Sequence, residues 1–107
     1  MNLTGEALLS YFASSAEKHQ KVFFQTERDE SNCSRLVKFF ENNGGEKMAE
    51  KAINKFMIQQ KQPVVFLLDF VVVLGTLTEG LKAEEADREE FRKLVQQTKA
   101  RMEGDSN

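Results

Sequence analysis

The stretch PVVFLLDFVVVLGTL, residues 63–77, decides the fold of this chain. Ten of its first twelve residues are apolar, and Asp69 is its only charged residue. Because the stretch has no polar face, we expect the rest of the chain to surround it. A membrane-spanning helix needs about 20 consecutive apolar residues. This shorter run, with a charge near its middle, therefore predicts a buried helix and no membrane span.

The same stretch is rich in β-branched residues, Val64, Val65 and the three valines at 71–73, which favour strands. A strand needs a partner, and the sequence offers no second candidate. A lone strand would leave backbone groups unpaired in the core. The sequence therefore predicts a helix over residues 63–79, with Pro63 in its first turn and its end between Gly75 and Gly80.

Amphipathic patterns predict helices in the rest of the chain. Thr4 is a suitable N-cap for the first of them, and the Asn-Asn-Gly-Gly sequence at 42–45 is typical of a helix end. The predicted helices lie near residues 5–26, 30–42, 46–60, 63–79 and 83–102. This pattern predicts an all-α fold, a compact four- to five-helix bundle around the apolar helix at 63–79.

The length of 107 residues indicates one domain. We assign residues 1–103 to a single helical domain. Residues 104–107 (Gly-Asp-Ser-Asn) are expected to form a flexible tail.

Residues 36–57, LVKFFENNGGEKMAEKAINKFM, resemble one unit of an armadillo- or HEAT-type helical repeat. The likeness consists of a helix with Leu-Val-x-x-Phe, a tight Asn/Gly turn, and a second helix with Ala52 and Phe56. It covers about a fifth of the chain, and no second copy follows at the period of about 40 residues that such arrays need. The resemblance implies an alternative architecture, a fragment of a helical-repeat protein.

Charge and cysteine content exclude several classes of function. Fifteen Lys and Arg stand against 17 Asp and Glu, and their signs alternate along the helices. Nucleic-acid binding, for example by a helix-turn-helix at 30–60, would need a concentrated positive surface. The single cysteine, Cys33, excludes an intramolecular disulfide and fits a reducing compartment. With no basic and then apolar segment at the N-terminus to form a signal peptide, the expected location is the cytoplasm.

No catalytic, cofactor or metal motif is evident in the sequence. His19 is the only imidazole, and neither a second histidine nor a cysteine cluster completes a site around it. The glycines at 44–45 and at 75–80 lack the flanking strand and Lys-Ser/Thr of a phosphate loop. We therefore expect a protein that is not an enzyme and holds no cofactor or metal.

Adjacent aromatic residues and one isolated charge are the candidate partner-binding features. Neighbours on a helix point about 100° apart, so one member of each Phe-Phe pair should be partly exposed. Asp69 either anchors a partner or lies at a helix edge near water. The candidate partner-binding residues are Phe24, Phe39, Asp69 and Phe70.

These features predict a protein–protein interaction module, an adaptor, scaffold or oligomerisation domain, that uses a hydrophobic helical surface. Its partner would be another protein or a second copy of the chain, not a nucleic acid. The alternative is a small-molecule or lipid carrier that encloses its ligand between helices.

Overall fold

The computed structural model describes the backbone of residues 1–105 and the side chains of residues 1–99. Within these residues the chain is mostly helical, as predicted, with four helices and one pair of two-residue strands. In chain order the elements are α1 (Gly5–Lys18), β1 (Val22–Phe23), α2 (Asp29–Glu41), α3 (Gly45–Gln59), β2 (Val64–Val65) and α4 (Leu67–Asp105).

The first helix is eight residues shorter than predicted. Its start is as expected, because the side chain of Thr4 accepts a hydrogen bond from the backbone N–H of Ala7. Its end differs, because Gln20 adopts the left-handed conformation with φ of 59°. A non-glycine residue rarely adopts this conformation inside a helix, so the chain leaves the helix at His19 and the apolar residues that follow become extended.

The two strands are the main correction to the sequence-based prediction. β1 and β2 pair in parallel, with Val22 opposite Val64 and Phe23 opposite Val65. The partner strand for Val64–Val65 therefore exists, and the prediction of a helix from residue 63 is wrong for its first four residues. Lys21 fixes this junction, since its ammonium donates hydrogen bonds to the carbonyls of Gln60 and Gln62.

The helices α2 and α3 lie within one residue of their predicted bounds. Gly44 and Gly45 take positive φ angles of 92° and 67° between them. A Cβ on Gly44 would come within 2.6 Å of Cβ of Met48, so the turn has room only for glycine there. This tight connection holds the two helices against each other.

A single 39-residue helix, α4, replaces the two helices predicted at 63–79 and 83–102. The glycines at 75 and 80 do not end it, although two mid-helix glycines cost about 2 kcal/mol relative to alanine. Leu74, Leu77 and Leu81 are buried on the same face, and each such burial contributes about 1.5–3 kcal/mol. Tertiary packing therefore outweighs the low helix propensity of glycine.

The core lies between α1, α2, α3 and one face of α4. Four phenylalanine rings meet at its centre, with ring centroids 5.4–6.4 Å from Phe70. The opposite face of α4 is open, and Val72 is 75% exposed. The apolar helix is thus covered on one side only, and the expectation that other helices surround it is wrong.

The part of α4 beyond Leu81 extends away from this core, and the molecule measures 67 × 28 × 22 Å. Of the predicted flexible tail, residues 104 and 105 belong to α4, and residues 106–107 lie outside the described part of the chain. No helix among the described residues is both long and apolar enough to cross a membrane.

Candidate interaction surface

The outer face of the two-stranded sheet is apolar and uncovered. Side chains alternate along each strand, so Phe23 and Val65 point to the core while their neighbours point outward. The outward side chains are 37–63% exposed, and the rings of Phe24 and Phe66 lie 5.4 Å apart between centroids. We call this surface the ribbon face; it consists of Val22, Phe24, Val64 and Phe66.

A cleft of about 410 Å³ lies beside the ribbon face. Phe66, Leu68 and Asp69 at the start of α4 form one wall. The loop before α2 and the first turns of that helix form the other. The residues on this second wall are Thr26, Glu27, Arg28, Asp29 and Asn32.

The loop wall of the cleft is held by hydrogen bonds to Asp29, the first residue of α2. The buried carboxylate of Asp29 accepts hydrogen bonds from the backbone N–H of Thr26 at 3.0 Å and from its hydroxyl at 2.9 Å. An aspartate side chain satisfies a backbone donor of a neighbouring loop in this way. The loop therefore has a defined conformation, and the cleft is a built feature of the fold.

Two of the four residues proposed from sequence come together at this surface. Phe24 is exposed on the ribbon face, and Asp69 is exposed on the rim of the adjacent cleft, in the first turn of α4. A carboxylate in that turn also stabilises the helix dipole. Asp69 thus lies at a helix edge and beside the cleft at the same time.

The other two residues lie elsewhere. Phe39 is half-buried and packs edge-on against Phe40, with 5.3 Å between centroids. Phe70 is fully buried at the centre of the core. Neither residue contributes to the ribbon face or to its cleft.

Sequence reasoning missed Phe66 and Leu68 as surface residues, because it assigned the whole of 63–74 to a surrounded helix. A signal was present in the sequence. Residues 22–24 (Val-Phe-Phe) and 63–66 (Pro-Val-Val-Phe) are both rich in residues that favour strands, and each follows a polar segment.

The single histidine and the single cysteine each have a contact or a burial that accounts for their position. His19 Nδ1 lies 2.8 Å from the carbonyl oxygen of Ser15 and donates to it. Burial, together with the nearby charge of Asp29, raises the pKa of the Cys33 thiol to about 11. A thiol with a raised pKa is a poor nucleophile at neutral pH. In the described part of the chain no three His, Cys, Asp or Glu side chains are grouped to hold a metal ion.

Comparison of the chain with protein-family models, with curated protein sequences and with solved structures finds no significant match. Residues 36–57 form parts of two helices joined by the turn at Gly44, and a helical-repeat array stays a hypothesis from sequence.

Proposed function

We propose that this chain is a non-enzymatic protein–protein interaction module and that the ribbon face is its docking surface. The occupant that this surface suits is a segment of another protein with apolar anchor side chains. The observation that carries the proposal is the exposed pair Phe24–Phe66, bordered by a cleft that can accept one such side chain.

The uncovered outer face of the two-stranded sheet is a second reason to expect a partner. Parallel strands occur almost only in sheets whose two faces are both covered. Here Phe23 and Val65 on the inner face pack against the core, where the ring of Phe23 lies 4.8 Å from that of Phe12. The outer face carries side chains of the same apolar kind and has no such cover. A partner that covers it would complete the usual environment of parallel strands.

The surroundings of the ribbon face match the anatomy of protein interfaces. Leu68 and Val72 of α4 extend the apolar area along the helix, since residues four apart share a helix side. Glu27, Arg28 and Asp69 at the cleft supply charges of both signs. An apolar centre with a polar rim is the arrangement that partner proteins recognise, and aromatic residues are frequent anchors in it.

The packing of the core favours this proposal over the ligand carrier. A carrier encloses its ligand in a cavity between its helices. At the centre of this core the rings of Phe12, Phe40, Phe56 and Phe70 are fully buried and pack against one another. We also propose that the protein acts in the cytoplasm, as its single cysteine suggests.

Selection from a peptide library displayed on phage tests the proposal directly. The protein is immobilised, random peptides of about 16 residues are selected on it, and each enriched peptide is synthesised and its Kd measured. We expect peptides with spaced apolar side chains. The double variant Phe24→Ser/Leu68→Ser should weaken their binding by about tenfold or more, which corresponds to at least about 1.4 kcal/mol.

Ile58→Ser is the matched control, because Ile58 is an equally exposed apolar residue on α3. It should leave the Kd unchanged. Asp69→Leu sharpens the test: altered binding assigns Asp69 to the interface, and unchanged binding with equal or higher stability assigns it to the helix edge. Enriched peptides that bind the double variant as tightly as the wild type would refute the ribbon face as the docking surface.

A further inference from the structure

Among the described side chains, the outer part of α4 touches the rest of the chain only through polar pairs at its start, Lys82–Asn43, Glu84–Lys55 and Glu85–Lys51. Every side chain from Lys82 to Lys99 is exposed, over 18 residues or about 27 Å of helix. Most helical stability in proteins comes from packing of an apolar face. We call residues 82–99 the α4 extension. Phe91, Leu94 and Val95 on it are 45–67% exposed, so an apolar face exists there without cover.

The apolar positions of the extension continue the face that packs on the core. Leu67, Leu74 and Leu81 are buried at seven-residue intervals, and Val95 lies two such intervals further on. Likewise Phe91 lies two intervals beyond the buried Leu77. Apolar residues at these two heptad positions form the seam of a coiled coil. Glu84 and Arg88 interrupt the seam, and the carboxylate of Glu84 pairs with Lys55 of α3 at 3.1 Å, where the helix leaves the core.

Charge along this part of α4 is segregated, in contrast to the alternating signs along the other helices. Residues 83–90 contain five acids and one base, whereas residues 91–102 contain four bases and no acid. If a helix began at residue 83, its dipole would account for acids first and bases later. The helix begins instead at Leu67, and the dipole effect does not extend beyond the first turn. Two of the acids, Glu84 and Glu85, pair with Lys55 and Lys51 of α3, and the charged side chains from Asp87 to Lys99 have no ion-pair partner outside α4 among the described residues.

We infer that the α4 extension is a self-association element in which two copies of the chain pair as antiparallel helices. Phe91 of each copy packs against Val95 of the other. Residues 83–90 of one helix, five of them acidic, then face residues 96–103 of its partner, where Lys99 and Arg101 lie. A parallel pair would place like charges side by side, which destabilises it. The inference is independent of the ribbon face.

Sedimentation of the full chain tests the association. From about 10 μM to about 1 mM, the weight-average mass should rise from 12.2 kDa toward twice that value. Phe91→Ser/Val95→Ser should raise the dimer Kd about tenfold or more, since it removes the apolar seam. Phe24→Ser/Leu68→Ser is the control and should associate as the wild type does. A mass that stays at 12.2 kDa would overturn the inference.

Charge reversal tests the complementarity. Asp87→Lys places a base level with Lys99 of the partner helix and should weaken association. Adding Lys99→Glu to the same chain restores opposite charges at this level and should restore association. Both residues are exposed, so the fold tolerates the changes. If the double variant stays as weak as Asp87→Lys alone, the charges do not pair as proposed.

A spin label on Ala83→Cys tests the direction of pairing. With Phe91 opposite Val95, the centre of the pair is near residue 93, and two labels at position 83 lie about 30 Å apart along the axis. In a parallel pair they would be about 10–15 Å apart, close to the distance between helix axes. The shorter distance would overturn the antiparallel arrangement. Unchanged association in Phe91→Ser/Val95→Ser would place the contact elsewhere on the molecule.

Discussion

The two halves of α4 differ in everything except their secondary structure. The half from Leu67 to Leu81 buries one face against three other helices, whereas the α4 extension exposes every described side chain. The first half is rich in β-branched residues and contains two glycines, and the second is rich in Ala, Glu, Lys and Gln. Tertiary packing thus maintains a helix with poor propensity, and good propensity maintains a helix with no packing.

Truncation of a core ring should show the largest difference between the halves. Phe70→Ala removes the ring at the centre of the aromatic cluster and should lower the free energy of unfolding by about 3–5 kcal/mol. Phe91→Ala, on the extension, should change it by less than about 0.5 kcal/mol in dilute solution. Urea unfolding followed by circular dichroism measures both. Similar losses in the two variants would show that the extension is packed in solution.

Proline substitutions should show that the packed half of α4 unfolds together with the core and that the α4 extension does not. Gly75→Pro removes a backbone donor inside the packed half and should cost about 3 kcal/mol or more. Gln96→Pro should lower the helical signal at 222 nm, because the end of α4 unwinds, and leave the urea midpoint of the core unchanged. A shifted midpoint for Gln96→Pro would mean that the extension unfolds together with the core.

Thiol reactivity should distinguish the core from the extension. The pKa of the Cys33 thiol is raised to about 11, from an ordinary value of 9.0, chiefly by burial. At neutral pH this leaves about 100-fold less thiolate than an ordinary thiol has. Alkylation by iodoacetamide should therefore be about 100-fold slower at Cys33 than at Gln96→Cys in the extension. Equal rates would show that Cys33 is accessible.

Glycine replacement should give the smallest effect. Gly75→Ala introduces a methyl group with no atom within 4 Å, and should raise the stability by about 1 kcal/mol. Gly80→Ala should give less, because its Cβ would lie 3.2 Å from Nζ of Lys55, which pairs with Glu84. Thermal unfolding of both variants tests this order. An equal gain from both would mean that Lys55 moves aside without loss.

The parts of the fold that depend on neighbouring residues could be predicted from the sequence. The N-cap Thr4 and the glycines at 44–45 each act through contacts a few residues away, and α2 and α3 were therefore placed correctly. The pairing of Val22 with Val64 joins residues 42 positions apart, and nothing local to either strand indicates its partner. The predicted C-terminal end of α1 and the predicted start of α4 were wrong for that reason.

The candidate site also contains features that local sequence predicts and features that depend on distant residues. Phe24 was selected as one member of a Phe-Phe pair and Asp69 as an isolated charge, and both are exposed. Their proximity, through Phe66 and the cleft, depends on the strand pair and could not be predicted without it. Phe70 was selected because it belongs to the apolar stretch, and the core contains it because it falls on the helix face with Leu67, Leu74 and Leu77.

Continuity of α4 through Gly75 and Gly80 makes the helix a rigid ruler of about 58 Å, from its 39 residues. Whatever binds the extension is held at a set distance and a set rotational phase relative to the ribbon face. One residue inserted near position 86 would turn that phase by about 100°, whereas seven inserted residues would nearly restore it and lengthen the ruler by about 10 Å. The length of the helix therefore specifies the relative orientation of two surfaces that never touch.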